Sequence, residues 1–219
     1  MFNFSLLKSK GWVSGIVDIR TEVNFANKLL SLAQNLGTPI PSRTGRSSLY
    51  DVLKPIEAKY AKHSSLSKNY SLGEFPLHTD TAHWLMPCRY IILGCLFSDE
   101  GNRRTLLFDA KNISLNRKQN DLLYSVPLRI NNGRNSFFDT ILSKRRRFIR
   151  YDPGCMKPIC KEGYSSLSVF SKQNYKEDIK EIKWFPGKVL IIDNWRLLHG
   201  RSSAACEDLN RTLIRILIR

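Results

Sequence analysis

The chain has 219 residues, 42% hydrophobic and 11% aromatic, a composition that is typical of a folded globular domain and excludes a disordered chain. Lysine and arginine total 35 against 19 acidic residues, and the resulting formal net charge of +16 predicts attraction to an anionic substrate or partner. No apolar stretch is long enough to cross a bilayer, and the first residues lack the core of a signal peptide. We therefore expect a cytoplasmic protein with no membrane segment.

The five cysteines are odd in number and show no paired spacing, which predicts reduced thiols. Cys155 and Cys160, in the stretch CMKPIC, have the spacing of half a zinc site, but no second half follows them. We therefore interpret them as structural thiols.

The first predicted element is a helix in the stretch TEVNFANKLLSLAQNLG. Its apolar residues recur every three or four positions, as in one buried helical stripe, and Gly37 stands where the helix would end. The next segment, residues 41–73, is polar and rich in serine and lysine, so we expect a mobile lid region. It contains one candidate helix at residues 50–61, interrupted by Pro55.

Short apolar runs separated by turn residues follow, namely RYIILGCLF, TLLFDA, KVLIIDN and RTLIRILIR, and they predict strands. Between them, LNRKQNDLLYSV predicts a short helix, and KQNYKEDIKEI a second helix or a polar connection. The pattern favours a mainly-β protein of the α+β class, with a sandwich or barrel core and the N-terminal helix packed outside. No repeat or linker divides the chain, so residues 1–219 are expected to form one domain, with helix and lid in 1–71 and the core in 72–219.

Three polar residues indicate a metal site. The stretch FPLHTDTAHW places His78 and Asp80 two residues apart, so their side chains would share one face of a strand. His199, in LIIDNWRLLHGR, follows a strand-like run that could bring it to the same place. Two imidazoles and one carboxylate on one face of a metal ion are the ligand set of non-haem Fe(II) enzymes that activate oxygen. Histidines that are merely hydrogen-bonded locally are the alternative interpretation.

The sequence around these residues resembles that of one protein family. The segments FPLHTD, RRTLLFDA, WFPGKVLIIDNWRLLHGR and NRTLIRILIR resemble, in this order, the taurine dioxygenase-like (clavaminate synthase-like) family of Fe(II)- and 2-oxoglutarate-dependent oxygenases. The resemblance implies a double-stranded β-helix (jelly-roll) core with N-terminal and inserted helices. It also implies that His78, Asp80 and His199 are the iron ligands, and that Arg211 and Thr105 bind the far carboxylate of 2-oxoglutarate.

The implied activity is an oxidation that consumes O₂ and 2-oxoglutarate and releases succinate and CO₂. In halogenating relatives a small residue replaces the carboxylate, whereas Asp80 is present in this chain. The resemblance therefore implies hydroxylation of an unactivated C–H bond, or desaturation or ring closure by the same oxidant.

Further residues are candidates for supporting roles. Arg215 shares a strand face with Arg211, so it either faces solvent or reaches into the pocket to hold an anionic group of the substrate. His83 and Arg150 are candidates for substrate contact, with a surface role and a structural hydrogen bond as the respective alternatives. Asp193 or Asn194 is a candidate to steady the strand end or His199 from behind the metal.

The basic character suggests the class of substrate. We expect a small anionic metabolite, or one tethered to an acidic carrier protein. The run SKRRRFIR, with Lys144 to Arg147, could instead recruit a macromolecule, but it lacks the aromatic residues that stack on bases, so nucleic acid is not favoured. A nucleic-acid- or protein-directed oxygenase and a non-catalytic binding protein are the alternative functions.

Overall fold

The computed structural model describes residues 2–43, 45, 47–61, 66–98, 103–143, 148–170, 178–203 and 209–219. The helices in these ranges are α1 (Phe4–Lys10), α2 (Glu22–Gln34), α3 (Leu66–Tyr70), α4 (Arg117–Ser125) and α5 (Lys161–Ser168). The strands are β1 (Trp12–Ile16), β2 (Pro39–Ile40), β3 (Asp51–Leu53), β4 (Phe75–His78), β5 (Tyr90–Phe97), β6 (Thr105–Asp109), β7 (Leu128–Asn132), β8 (Asn135–Asp139), β9 (Met156–Lys157), β10 (Lys180–Ile182), β11 (Lys188–Asp193), β12 (Leu197–Arg201) and β13 (Thr212–Ile218).

The strands form three sheets, and every strand pair in them is antiparallel. The large sheet has the order β1-β11-β5-β13-β2, with β3 also pairing with β13. The second sheet has the order β10-β6-β12-β4, and a small third sheet the order β8-β7-β9. The expected mainly-β character of the α+β class is thus confirmed.

Helix α2 forms where the sequence predicts it. The Thr21 side chain accepts a hydrogen bond from the Asn24 backbone N–H at 3.1 Å, which caps the first turn. The helix ends at Gln34, before Gly37. Gly37 has a φ of +155°, and a side chain there would meet the Arg219 carbonyl oxygen, since an added Cβ would lie 2.3 Å from it. Glycine therefore permits the chain after α2 to lie against the last strand.

Alternation along β13 divides the core into two layers. Ile214, Ile216 and Ile218 pack with the buried face of α2, whereas Leu213 and Leu217 pack with residues of the second sheet. Each of these side chains is nearly or fully buried, and burial of an isoleucine or leucine contributes about 1.5 to 3 kcal/mol. The large sheet therefore lies between α2 and the second sheet, which confirms that the N-terminal helix packs outside.

Two other predictions had different outcomes. Helix α4 is confirmed, with Asn116 and Gln119 forming a reciprocal capping box. The helix expected at residues 50–61 is wrong, because this stretch pairs with β13 as β3 and then makes a 3₁₀ turn at Ala58–Tyr60. Pro55 lies between the two, where it lacks the N–H that a helix interior needs.

Two segments discussed in the sequence analysis fall partly or wholly outside the described ranges. In KQNYKEDIKEI, residues 172–177 lie outside them, and the end of the stretch forms β10. The basic run at Lys144 to Arg147 lies outside them entirely. Across the part of the chain that the structure describes, no helix is long and apolar enough to cross a membrane.

Candidate functional site

A cavity of about 400 Å³ is lined by residues of the second sheet and of β13 in the large sheet. Most of the candidate residues named from the sequence line it, namely His78, Asp80, His83, Thr105, His199, Arg211 and Arg215. These residues come from distant parts of the chain, so the fold brings them together.

The register between β4 and β12 places the two histidines side by side. His78 is the cross-strand partner of His199, and the ring centroids are 4.5 Å apart. His78 Nδ1 lies 2.9 Å from the Pro76 carbonyl oxygen and donates to it, so Nε2 is the ring nitrogen that this bond leaves unused. Burial, and then the nearby His78, lower the pKa of His199 to about 3, so its ring is neutral near pH 7. Two imidazoles, of which that of His199 is uncharged, therefore share one place on the cavity wall.

Asp80 reaches the cavity in a different way from the one expected. Strand β4 ends at His78, so His78 and Asp80 do not share a strand face. After His78 the chain no longer pairs with β12, because Thr79 is hydrogen-bonded to the segment that carries Tyr151. The Thr79 backbone N–H donates to the Tyr151 carbonyl at 2.6 Å, and the Thr79 hydroxyl donates to the Ile149 carbonyl at 3.1 Å. The expected strand alternation is wrong here, although Asp80 still lines the cavity.

The Asp80 carboxylate is held on both oxygens. One oxygen accepts from the Thr81 backbone N–H at 3.1 Å and the other from Arg215 at 2.8 Å. Burial raises the pKa of Asp80, but Arg215 and the two histidines more than offset it, and the pKa falls to about 2. Asp80 is therefore an anion at neutral pH.

Arg215 lies in the cavity wall between two carboxylates. Its second terminal nitrogen donates to Asp51 on β3 at 2.9 Å, while the first donates to Asp80. Of the two positions expected from the sequence, solvent or cavity, the structure thus places it in the cavity. Its terminal nitrogens nevertheless bind this chain's own acids.

The donor set fits a metal ion in its chemistry. His78, His199 and Asp80 supply two imidazoles and one ionised carboxylate, the set suited to non-haem Fe(II). Within the described residues His199 Nδ1 is buried without a hydrogen-bond partner, and a carboxylate oxygen that accepts one bond keeps a further lone pair. The three side chains are not gathered around a common point, however: among the described residues, no group of three His, Cys, Asp or Glu is arranged to hold a metal ion.

The other part of the cavity is strongly basic. Thr105 lies on β6 opposite Arg201 of β12, and its hydroxyl oxygen accepts from the Trp184 indole N–H at 3.0 Å. Arg211 donates to the Arg103 carbonyl at 2.9 Å. Burial, and then the charges of Arg103 and Arg211, lower the pKa of Arg201 to about 9. Three guanidiniums are thus close enough to repel one another, which favours an anionic ligand beside them.

Arg103 and Arg201 were not identified from the sequence. Both arginines also donate to backbone carbonyls of the segment before β4: Arg103 to Leu72 at 2.7 Å, and Arg201 to Ser71 and Gly73 at 2.8 and 2.6 Å. The two-residue strand period could have found them, because Arg201 follows His199 by two positions and Arg103 precedes Thr105 by two.

His83 and Arg150 occupy different environments. His83 lines the cavity next to Trp84, and burial lowers its pKa. Arg150 is fully buried and does not line the cavity. Its guanidinium donates to the carbonyls of Ala82, Trp84 and Leu85 and to the Asp139 carboxylate. Of the two roles expected for Arg150, this position fits the structural one, since it supports the loop that carries His83.

The comparisons with known proteins agree with the geometry of the cavity. No family model matches the chain. The chain is 32% identical to the mitochondrial trimethyllysine dioxygenase of Rattus norvegicus over 152 residues, which cover 58% of this chain and 36% of that protein. The chain therefore spans little more than a third of the length of this curated relative.

Solved structures match over nearly the whole chain. An asparagine oxygenase in complex with Fe(II), 2S,3S-3-hydroxyasparagine and succinate has a TM-score of 0.78 at 16% identity, covering 98% of this chain and 76% of that chain. The non-haem iron oxygenase OrfP in complex with Fe, succinate and (3S)-hydroxy-L-Arg has a TM-score of 0.73 at 19% identity, covering 99% and 77%. The resemblance to the taurine dioxygenase-like family is confirmed at the level of the fold.

Proposed function

We propose that this chain, with the fold of the Fe(II)- and 2-oxoglutarate-dependent oxygenases, is a dioxygenase that hydroxylates a small amino-acid-like molecule. One observation carries the proposal: a single cavity combines a pair of adjacent histidines, an ionised aspartate and a group of arginines. The likeness to the solved structures further supports a jelly-roll core in which the two larger sheets belong to one double-stranded β-helix.

His78, Asp80 and His199 would hold Fe(II). The hydrogen bond from His78 Nδ1 to Pro76 fixes the tautomer and the ring orientation, and burial keeps His199 unprotonated. The low pKa of Asp80 keeps the third ligand charged. Bound Fe(II) would activate O₂ and couple the oxidative decarboxylation of 2-oxoglutarate, to succinate and CO₂, to hydroxylation of a substrate C–H bond.

Thr105 and Arg211 would hold the far carboxylate of 2-oxoglutarate. Because the Thr105 oxygen accepts the Trp184 N–H, its own hydrogen is free to point at a carboxylate oxygen. The planar guanidinium of Arg211 matches a carboxylate in shape and charge. Arg103 and Arg201 add positive charge that a dicarboxylate would neutralise.

The substrate would occupy the rest of the cavity. Its wall carries both signs of charge: Arg43 and Lys54 are positive, and Asp152 is negative. A molecule with both a carboxylate and an ammonium group suits this wall. The hydroxylated asparagine and arginine bound by the two solved structures support an amino-acid substrate, free or tethered to an acidic carrier protein.

The test begins without oxygen. Fe(II) and 2-oxoglutarate added together to the protein should produce a visible charge-transfer band, and His78→Ala should abolish it. A panel of amino acids supplied with O₂ should then identify a substrate by succinate formation and by a mass gain of one oxygen. The free and carrier-tethered forms of each amino acid would be compared directly. A protein that binds 2-oxoglutarate but forms neither the band nor succinate would be a binding protein, and the proposal would be wrong.

A further inference from the structure

Asn194 is a fully buried polar residue at the junction between β11 and β12. Its side-chain oxygen accepts from the Asp80 backbone N–H at 2.9 Å. Its side-chain nitrogen donates to the Asp80 carbonyl at 3.0 Å and to the Cys88 carbonyl at 2.8 Å, and it lies 3.4 Å from the Cys88 sulfur. One amide group therefore satisfies both backbone polar groups of Asp80.

This pairing replaces a missing strand. Asp80 lies two residues beyond the end of β4, where the ladder to β12 no longer supplies hydrogen bonds, and Thr81 then adopts a left-handed φ of +57°. A primary amide has the same donor and acceptor as a backbone peptide group. Asn194 thus gives Asp80 the two bonds that a neighbouring strand would have given.

The position of Asn194 links two distant parts of the proposed metal site. It precedes β12, the strand that carries His199, and is separated from that strand by a short turn. The segment that delivers one histidine therefore also fixes the backbone of the aspartate. A buried asparagine is costly unless its amide is fully bonded, and here both the amide oxygen and the amide nitrogen have partners.

We infer that Asn194 is a positioning residue, which sets the place of Asp80 relative to His78 and His199 through the Asp80 backbone. The inference rests on the proposed function, because it assigns the role with respect to the proposed Fe(II) site. Residues behind metal ligands that orient them typically change metal affinity by about 10- to 100-fold when they are removed. A purely structural role would lower stability and leave the affinity of the folded protein unchanged.

The experiment measures metal affinity directly. Mn(II) serves as a redox-stable probe for Fe(II), and the free ion is counted by electron paramagnetic resonance during titration. We expect Asn194→Ala to weaken Mn(II) binding about 10- to 100-fold, and Asn194→Ser, which keeps one hydroxyl, to weaken it less. Asn116→Ala is the matched control, because it removes an asparagine side chain that accepts a hydrogen bond from one backbone N–H, that of Gln119 at the start of α4, outside the cavity. It should lower stability and leave the affinity unchanged.

A measurement on the wild-type protein covers the case in which the variants do not fold. Diamagnetic Zn(II) should shift the NMR signals of the Asn194 side-chain amide and the Asp80 backbone amide together, and leave the Asn116 side-chain amide in place. Wild-type affinity in folded Asn194→Ala, or an Asn194 signal that ignores bound Zn(II), would overturn the inference. If the wild-type protein binds neither ion, the proposed function itself fails, and the two failures are thereby distinguished.

Discussion

The two histidines and the aspartate of the cavity are positioned by different means. His78, at the end of the edge strand β4, is the cross-strand partner of His199 on the inner strand β12, and Leu107 on β6 pairs with His199 from the other side. Asp80 stands outside any strand, and its position depends on side chains, namely Asn194, Thr81 and Arg215. In paired strands, many backbone hydrogen bonds together fix the position of a residue, whereas in a turn a few side-chain contacts fix it. Substitutions around Asp80 should therefore perturb the site more than substitutions around the histidines.

The largest expected effect is loss of the proposed ligands themselves. His78→Ala, Asp80→Ala and His199→Ala should each abolish substrate-dependent succinate formation, because each removes a third of the proposed ligand set. The two histidine variants should keep their fold, since strand pairing uses the backbone and survives truncation of the side chain. Succinate assays paired with urea unfolding would check both statements. Full activity in any one variant would remove that residue from the set.

Substitution of Arg215 tests whether side chains hold the turn that carries Asp80. Arg215→Ala would leave the carboxylates of Asp80 and Asp51 partly buried without their shared cation, and breaking a buried ion pair typically costs about 3 to 5 kcal/mol. Urea unfolding of the metal-free protein would measure the loss in the free energy of unfolding. Arg20→Ala is the matched control, because Arg20 pairs with Asp18 at an exposed site, where such pairs contribute about 0 to 1 kcal/mol. Equal losses in the two variants would contradict the role given to Arg215.

Substitution of Arg211 tests the basic end of the cavity, which lies apart from both the paired histidines and the turn that carries Asp80. Removing the charged partner of a buried carboxylate costs about 2 to 5 kcal/mol, so Arg211→Ala should weaken 2-oxoglutarate binding roughly thirtyfold or more. Titration of 2-oxoglutarate against the charge-transfer band would measure it. Arg104→Ala removes the same charge from a neighbouring arginine that pairs with Glu181 outside the cavity, and it should leave the titration unchanged. An unchanged titration in Arg211→Ala would transfer the role to Arg201 or Arg103.

The sequence carried most of the information on strands and on which residues meet. The alternation in RTLIRILIR correctly separated the cavity side of β13, with Arg211 and Arg215, from the side that packs on α2. The amphipathic stripe likewise predicted α2. Both are local periodicities, which depend on neighbours in the sequence and are therefore readable without the fold.

The interactions that hold Asp80 could not be predicted in the same way. They join residues far apart in sequence, such as Asp51 with Arg215 and Asn194 with Asp80, and no local pattern records such a pairing. The end of β4 at His78 depends in turn on bonds from Thr79 to the segment around Tyr151. Periodicity therefore predicted the face of a strand but not the residue at which the strand stops.

The smallest expected effect comes from Thr81, where two substitutions distinguish the contribution of the hydroxyl from that of the β-branched shape. The hydroxyl donates to the Asp80 carbonyl at 2.6 Å and accepts from the Cys88 backbone N–H at 2.8 Å. Thr81→Val keeps the β-branched shape at the same left-handed φ but leaves the buried Cys88 N–H without an acceptor, which typically costs about 1 to 3 kcal/mol. Thr81→Ser keeps the hydroxyl and loses the branch that is disfavoured at positive φ, so its stability should stay within about 0.5 kcal/mol of the wild type. Urea unfolding of the two variants checks the difference. If valine and serine prove equally stable, the hydroxyl does not hold the turn, and the contrast between Asp80 and the histidines would rest on Asn194 and Arg215.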